Sequence, residues 1–227
     1  MLGQPGKDAV WVPTPQAVVD RMLDMAAIRP GEQLIDLGSG DGRLVISAAR
    51  RGAQALGVEY EPQLVEHARR LAEREGVSHL ARFAREDLFQ TDLSGADVIT
   101  LFLLREMNLR LRPKLLALRP GTRIVANTFD LGEWLPDRSE NLTLEEGCNS
   151  AWCLAMMWTV PGKVAGVHRL AQGEFTLTQE FQMLTGTAKV DGREFPVGGS
   201  VQGEAVTLTG GGRTWYGKMT GGRLALD

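Results

Sequence analysis

Up to about residue 160, short apolar runs alternate with stretches whose apolar residues recur every three to four positions. That is the pattern of strands feeding helices. Residues 34–37, 55–59, 82–85, 96–104 and 123–127 read as five strands. The run 96–104 is apolar almost throughout, as a central parallel strand should be. Between the strands lie four helical patterns. The first follows the extended entry Val10-Trp11-Val12-Pro13, with Thr14 placed as N-cap and Pro15 at the first helical position. It carries Val18, Val19, Met22, Leu23 and Ala26 on one face, and Pro30-Gly31 stops it. The second spans 43–49. The third opens at Pro62 and closes at Gly76. The fourth spans 108–118 and contains Pro113. Residues 142–144 and 153–160 read as a closing antiparallel pair. Strand–helix alternation of this kind predicts a doubly wound, mostly parallel α/β sheet.

After that point the period changes from helical to two. Residues 174–183, 204–209, 214–219 and 223–226 alternate in part, and Gly210-Gly211-Gly212 and Gly221-Gly222 read as hairpin turns. About half of the 27 glycines fall here. The pattern predicts a domain over 1–162 followed by a small antiparallel β module over 163–227, a meander or partial barrel.

Composition narrows the function classes. The 227 residues exceed the ~100–200 of a typical single domain. A net charge of -3, without a basic stripe, gives no expectation of nucleic acid as partner. No apolar run reaches the ~18 residues that span a bilayer. Residues 1–7 lack the apolar core of a signal peptide, so a cytoplasmic protein is expected. Cys148 and Cys153 are too few for a zinc site. They read as two thiols of an intracellular protein, with a disulfide as the alternative. His67, His79 and His168 are scattered, so no metal site is expected.

The chemistry concentrates in Leu34-Ile35-Asp36-Leu37-Gly38-Ser39-Gly40-Asp41-Gly42. Strand, glycine turn and helix form the unit that brings a nucleotide against bare backbone and helix N–H groups. About twenty residues on, Glu59 ends the second strand, where a carboxylate binds ribose hydroxyls in such folds. The glycine spacing is G-x-G-x-G, not the G-x-G-x-x-G of dinucleotide sites, and acids flank it. Carboxylates at Asp36 and Asp41 repel a pyrophosphate. They suit a ligand that carries an ammonium group and a sulfonium.

That loop resembles motif I of class I S-adenosylmethionine (SAM) methyltransferases. The resemblance extends through the entry Val12-Pro13-Thr14-Pro15, Gly57-Val58-Glu59, Asp87-Leu88-Phe89, and Leu111-Arg112-Pro113-Lys114-Leu115 to Pro120-Gly121-Thr122-Arg123. Together these are similar to the ATP synthase c-subunit and adenine nucleotide translocase lysine methyltransferases, over roughly residues 10–137. The resemblance implies a seven-stranded class I methyltransferase sheet, SAM as cofactor with S-adenosylhomocysteine as product, and a protein lysine as acceptor. It implies a cofactor pocket of Thr14, Pro15, Asp36, Gly38, Ser39, Gly40, Asp41, Glu59, Asp87 and Leu88. The stretch after the fifth strand is a candidate acceptor channel, with Asn127, Phe129 and Trp134. No catalytic residue stands out, and a small-molecule methyltransferase or a non-catalytic SAM-binding module remain open alternatives. The mitochondrial members carry an N-terminal hydrophobic segment that this chain does not show. They also lack its C-terminal region, so the acceptor does not carry over with the fold.

Overall fold

The computed structural model describes residues 12–227. Val10 and Trp11 of the extended entry lie outside the described residues, as do residues 1–7. The chain divides into two units. One comprises the chain up to Leu118 with Thr122–Trp158, and the other comprises Arg119–Gly121 with Thr159–Asp227.

The first unit is the α/β sheet. Its elements run α1 (Gln16–Met25), β1 (Gln33–Leu37), α2 (Arg43–Arg50), β2 (Gln54–Glu59), α3 (Pro62–Arg74), β3 (Ala81–Arg85), β4 (Val98–Leu101), α4 (Arg105–Leu116), β5 (Arg123–Asn127), β6 (Arg138–Asn141) and β7 (Leu154–Thr159). The strand order is β3-β2-β1-β4-β5-β7-β6. The five strands β3-β2-β1-β4-β5 pair in parallel, and β6 pairs antiparallel with β7. Every residue of β4 is buried, which explains its unbroken apolar run. The apolar face of α1, with Val18, Val19, Met22 and Leu23, packs with Leu44, Val45 and Ala48 of α2 into the main core. Strand order reverses between β1 and β4, and the crevice beyond their carboxyl ends is where an open α/β sheet binds its ligand.

The differences from the sequence expectations are local. Pro15, not Thr14, is the N-cap of α1, and it makes no side-chain capping bond. Strand β4 ends at Leu101, so Phe102 to Leu104 leave the sheet as loop, and α4 begins at Arg105. The partner of β7 is Arg138–Asn141 rather than 142–144. Cys148 and Cys153 are joined in a disulfide, with Cα atoms 5.9 Å apart. The expectation of two thiols is therefore corrected. Their five-residue separation lets the chain turn back over a single loop before entering β7.

The second unit is a seven-stranded antiparallel meander in which every strand pairs with its sequence neighbour: β8 (Gly166–Leu170), β9 (Gly173–Glu180), β10 (Met183–Val190), β11 (Arg193–Gln202), β12 (Ala205–Gly210), β13 (Arg213–Thr220) and β14 (Arg223–Leu226). The first and last strands come together, and the Gln172 side-chain amide donates to the Leu226 carbonyl at 2.7 Å. Inward residues fill the interior, with Phe175 edge-on to Trp215 and Phe195 stacked on it. The run 174–183 is in fact β9, a turn at Phe181-Gln182 and the start of β10.

Candidate functional site

A cavity of about 680 Å³ opens at the switch point, over the carboxyl ends of β1, β2 and β4. The loop after β1 forms its floor. Gly38 has φ +81°, and a Cβ there would lie 2.8 Å from Leu103 Cδ2. The backbone N–H groups of Gly38 and Ser39 both donate to the Val58 carbonyl, which ties the loop to β2. Gly42, the N-cap of α2, is left-handed too, but its bareness serves packing. A Cβ there would lie 2.6 Å from the Phe83 ring and 2.8 Å from Ala68 Cβ.

Glu59 closes β2. One carboxylate oxygen accepts from the Gly40 N–H at 3.0 Å and the other from the Glu61 N–H at 2.9 Å. The side chain is thereby fixed against the loop, with lone pairs left over for a ligand. Asp36 lies at the end of β1, buried, and accepts from the Thr100 hydroxyl at 2.7 Å. Burial pushes its carboxyl up to about 7. The Thr100 hydrogen bond opposes that rise, and the neighbouring Glu59 and Asp41 carboxylates add to it. Asp41 is paired with Arg43 through a forked contact, Nε at 3.0 Å from both oxygens and Nη2 at 2.6 Å from one. The other guanidinium nitrogen donates to the Thr14 carbonyl at 2.9 Å, so the α1 entry is held to the glycine loop.

Six carboxylate residues line the cavity: Asp36, Asp41, Glu59, Glu61, Glu86 and Asp87. Against them stand Arg43, already engaged, and Arg110, whose guanidinium lies 3.7 Å above the Phe89 ring. Ser39 belongs to this lining, but its hydroxyl is buried with no hydrogen-bond partner, packed where a Cβ at Gly57 would lie 2.7 Å away. An acid-rich pocket of this kind fits a ligand that brings positive charge.

Thr14, Asp36, Gly38, Ser39, Asp41, Glu59, Asp87, Leu88 and Phe129 are thus brought together in one lining. Gly40 contributes its N–H to Glu59, and Pro15 is the helix cap; neither is part of the lining. Two channel residues are corrected. Trp134 is wholly buried, packs against Trp158, and accepts at its carbonyl from the Trp158 indole N–H at 2.7 Å. Asn127 is also wholly buried and outside the lining. The reason is Thr128, whose φ of +63° turns the chain just after β5. Asn127 stays in the core and Phe129 reaches the cavity. Sequence reasoning missed Phe102, Met107, Arg110 and Trp152, all in the lining. The position of Phe102 beyond β4 was a usable signal. Trp152 had none, because it arrives from the disulfide loop.

A parallel sheet finished by an antiparallel hairpin, with an acid-lined pocket at its switch point, is the arrangement of class I SAM-dependent methyltransferases, and this chain is one. The sequence profile of the ANTKMT methyltransferase domain matches residues 36–138. A protein-lysine N-methyltransferase of Saccharolobus islandicus is 39% identical over 140 residues, covering 60% of this chain and 86% of that protein. The chain belongs to this methyltransferase family. The ATP synthase c-subunit lysine N-methyltransferase of Xenopus laevis is 37% identical over 63% of this chain, which spans 61% of that enzyme's length. Among solved structures, an RNA methyltransferase of Salinibacter ruber in complex with S-adenosyl-L-homocysteine aligns with TM-score 0.62 and 47% identity, over 67% of this chain and 96% of its own.

Proposed function

We propose that this chain transfers a methyl group from SAM to the side-chain amine of a lysine in a protein substrate. The observation that carries the reading is the charge and shape of the cavity. Six carboxylate residues gather at one end, while aromatic and aliphatic side chains line the side beyond β4 and β5, among them Phe102, Leu103, Met107 and Phe129. The names of the archaeal and vertebrate relatives support the same acceptor.

The lining residues fit the cofactor. Asp36 would face the ammonium of the methionine part, and Glu59 would accept from the ribose hydroxyls. Asp87 and Leu88 would border the adenine, with Ser39 part of the pocket wall. Thr14 keeps a place at the pocket, whereas Pro15 acts only by setting the start of α1. When bound, SAM supplies an electrophilic methyl carbon attached to a good leaving group. The chain's own contribution is then positioning and exclusion of water. A lysine amine has a reference pKa of about 10.4, and burial against apolar walls favours its neutral, nucleophilic form. Ring faces stabilise the positive charge that develops on nitrogen.

Incubation with methyl-labelled SAM and a cell lysate tests the proposal. Label should enter protease-sensitive material and appear as methyl-lysine after acid hydrolysis. Label in ribonuclease-sensitive material would overturn the reading in favour of RNA, the acceptor class named for the Salinibacter protein. Label confined to small molecules would overturn it in favour of a metabolite acceptor.

A further inference from the structure

Three rings from separate segments meet on the acceptor side of the cavity. Phe102 follows β4, Phe129 follows β5, and Trp152 comes from the loop that precedes β7. Their centroids are 6.2 Å apart for Phe102–Phe129, 5.8 Å for Phe102–Trp152 and 5.7 Å for Phe129–Trp152. All three are half-buried, so each keeps a face towards the cavity. Trp152 is the one whose position depends on something other than the sheet. It precedes Cys153 directly, and the disulfide to Cys148 closes the loop that carries it. Its backbone N–H donates to the Ser150 hydroxyl at 3.0 Å, and the salt bridge Arg21–Glu146, at 3.0 Å, ties the same loop to α1.

We propose that the Cys148–Cys153 disulfide belongs to the acceptor site, clamping Trp152 against Phe102 and Phe129 so that the three rings bind the alkyl-amine end of the acceptor. This rests on the lysine reading and specifies how the amine is held. Converging aromatic faces attract an alkylammonium and its methylated forms. A flat ring inserted between two others needs a gap of roughly 7 Å, twice a van der Waals contact, so no base intercalates between these rings as they stand. The loosely stacked pair, Phe102 and Phe129, is closer than that. Trp152 is therefore an acceptor-binding residue, and the disulfide positions it. Reduction by a dithiol transfers two electrons and two protons, leaves two thiols, and frees the segment that holds the indole.

The test uses the full chain loaded with S-adenosylhomocysteine, with n-butylammonium and n-butyltrimethylammonium as side-chain probes in calorimetry. Both should bind to the oxidised protein. Trp152→Ala should weaken them about tenfold or more, Trp152→Phe should restore most of the affinity, and all three proteins should bind S-adenosylhomocysteine within about twofold of one another. Dithiol treatment, or the pair Cys148→Ser and Cys153→Ser, should weaken the probes severalfold and add little to Trp152→Ala. In turnover on poly-lysine, Trp152→Ala should raise KM far more than it lowers kcat. Probe affinity indifferent to Trp152, or lost in step with S-adenosylhomocysteine affinity, overturns the proposal. Trp152-dependent probe binding without any label on lysine would overturn the lysine reading and leave the ring site standing. Labelled lysine with an unchanged KM would do the reverse.

Discussion

The carboxyl of Asp36 is buried at the end of β1, accepts from Thr100, and titrates near 7. Below that pH the pocket holds it protonated, and it cannot neutralise an ammonium. SAM affinity should therefore rise with pH up to about 7 and then level off, with proton release on binding that calorimetry in buffers of different ionisation enthalpy detects. Stability has the opposite sign. Unfolded, Asp36 titrates at its ordinary 3.8, so between 3.8 and about 7 the folded state holds the extra proton and loses stability as pH rises. Asp36→Asn should melt higher than the parent at pH 8, match it near pH 3.5, and bind SAM poorly throughout. Glu59 gives a second test at this scale. Glu59→Ala removes the acceptor of two backbone N–H groups as well as the proposed ribose contact. Affinity for S-adenosylhomocysteine should fall about tenfold or more, since charge-assisted hydrogen bonds contribute roughly 1.5–3 kcal/mol each. Unchanged affinity in a folded variant would reduce Glu59 to a strap on the glycine loop.

Among the elements, the β1–loop–α2 unit is the most tightly determined, and Gly42 shows why. An added methyl meets the Phe83 ring and Ala68 at once, and the left-handed backbone adds strain. Gly42→Ala should destabilise by about 2 kcal/mol or more in chemical denaturation, by overpacking and strain together. By contrast Gly121, also left-handed, has open space around its missing Cβ, so Gly121→Ala should cost only about 1 kcal/mol of backbone strain. The same contrast explains what was legible in the chain. Asp36, the glycines and Glu59 announce themselves because the chemistry is set by neighbours in sequence. The acceptor side does not, because Phe102, Phe129 and Trp152 are assembled by three different strand ends. Trp134 misled because nothing in the residue types reveals the turn at Thr128. In the β module, Gly198 and Gly199 interrupt the alternation of β11. A Cβ at Gly199 would lie 1.9 Å from the Thr207 carbonyl, so close strand approach erased the pattern that identifies strands.

For the whole molecule, the family match ends within the α/β unit, at residue 138. We propose that cofactor binding resides entirely before the β module. A chain ending at Gly162 should then retain S-adenosylhomocysteine affinity within a few-fold. Methyl transfer to the native acceptor, measured on the same truncated protein, shows whether the module serves recruitment or stability. A folded truncation that no longer binds S-adenosylhomocysteine would place part of the pocket in the β module.

In the meander each strand pairs with the one just before it, whereas β1 must find β4 across 64 residues, Leu34 opposite Val98. Folding rate falls as the sequence separation of contacts grows. The two units of one polypeptide should thus mature on different clocks. After dilution from denaturant, the near-ultraviolet signal of Trp215 in the meander should return first, and S-adenosylhomocysteine binding should return in a later phase.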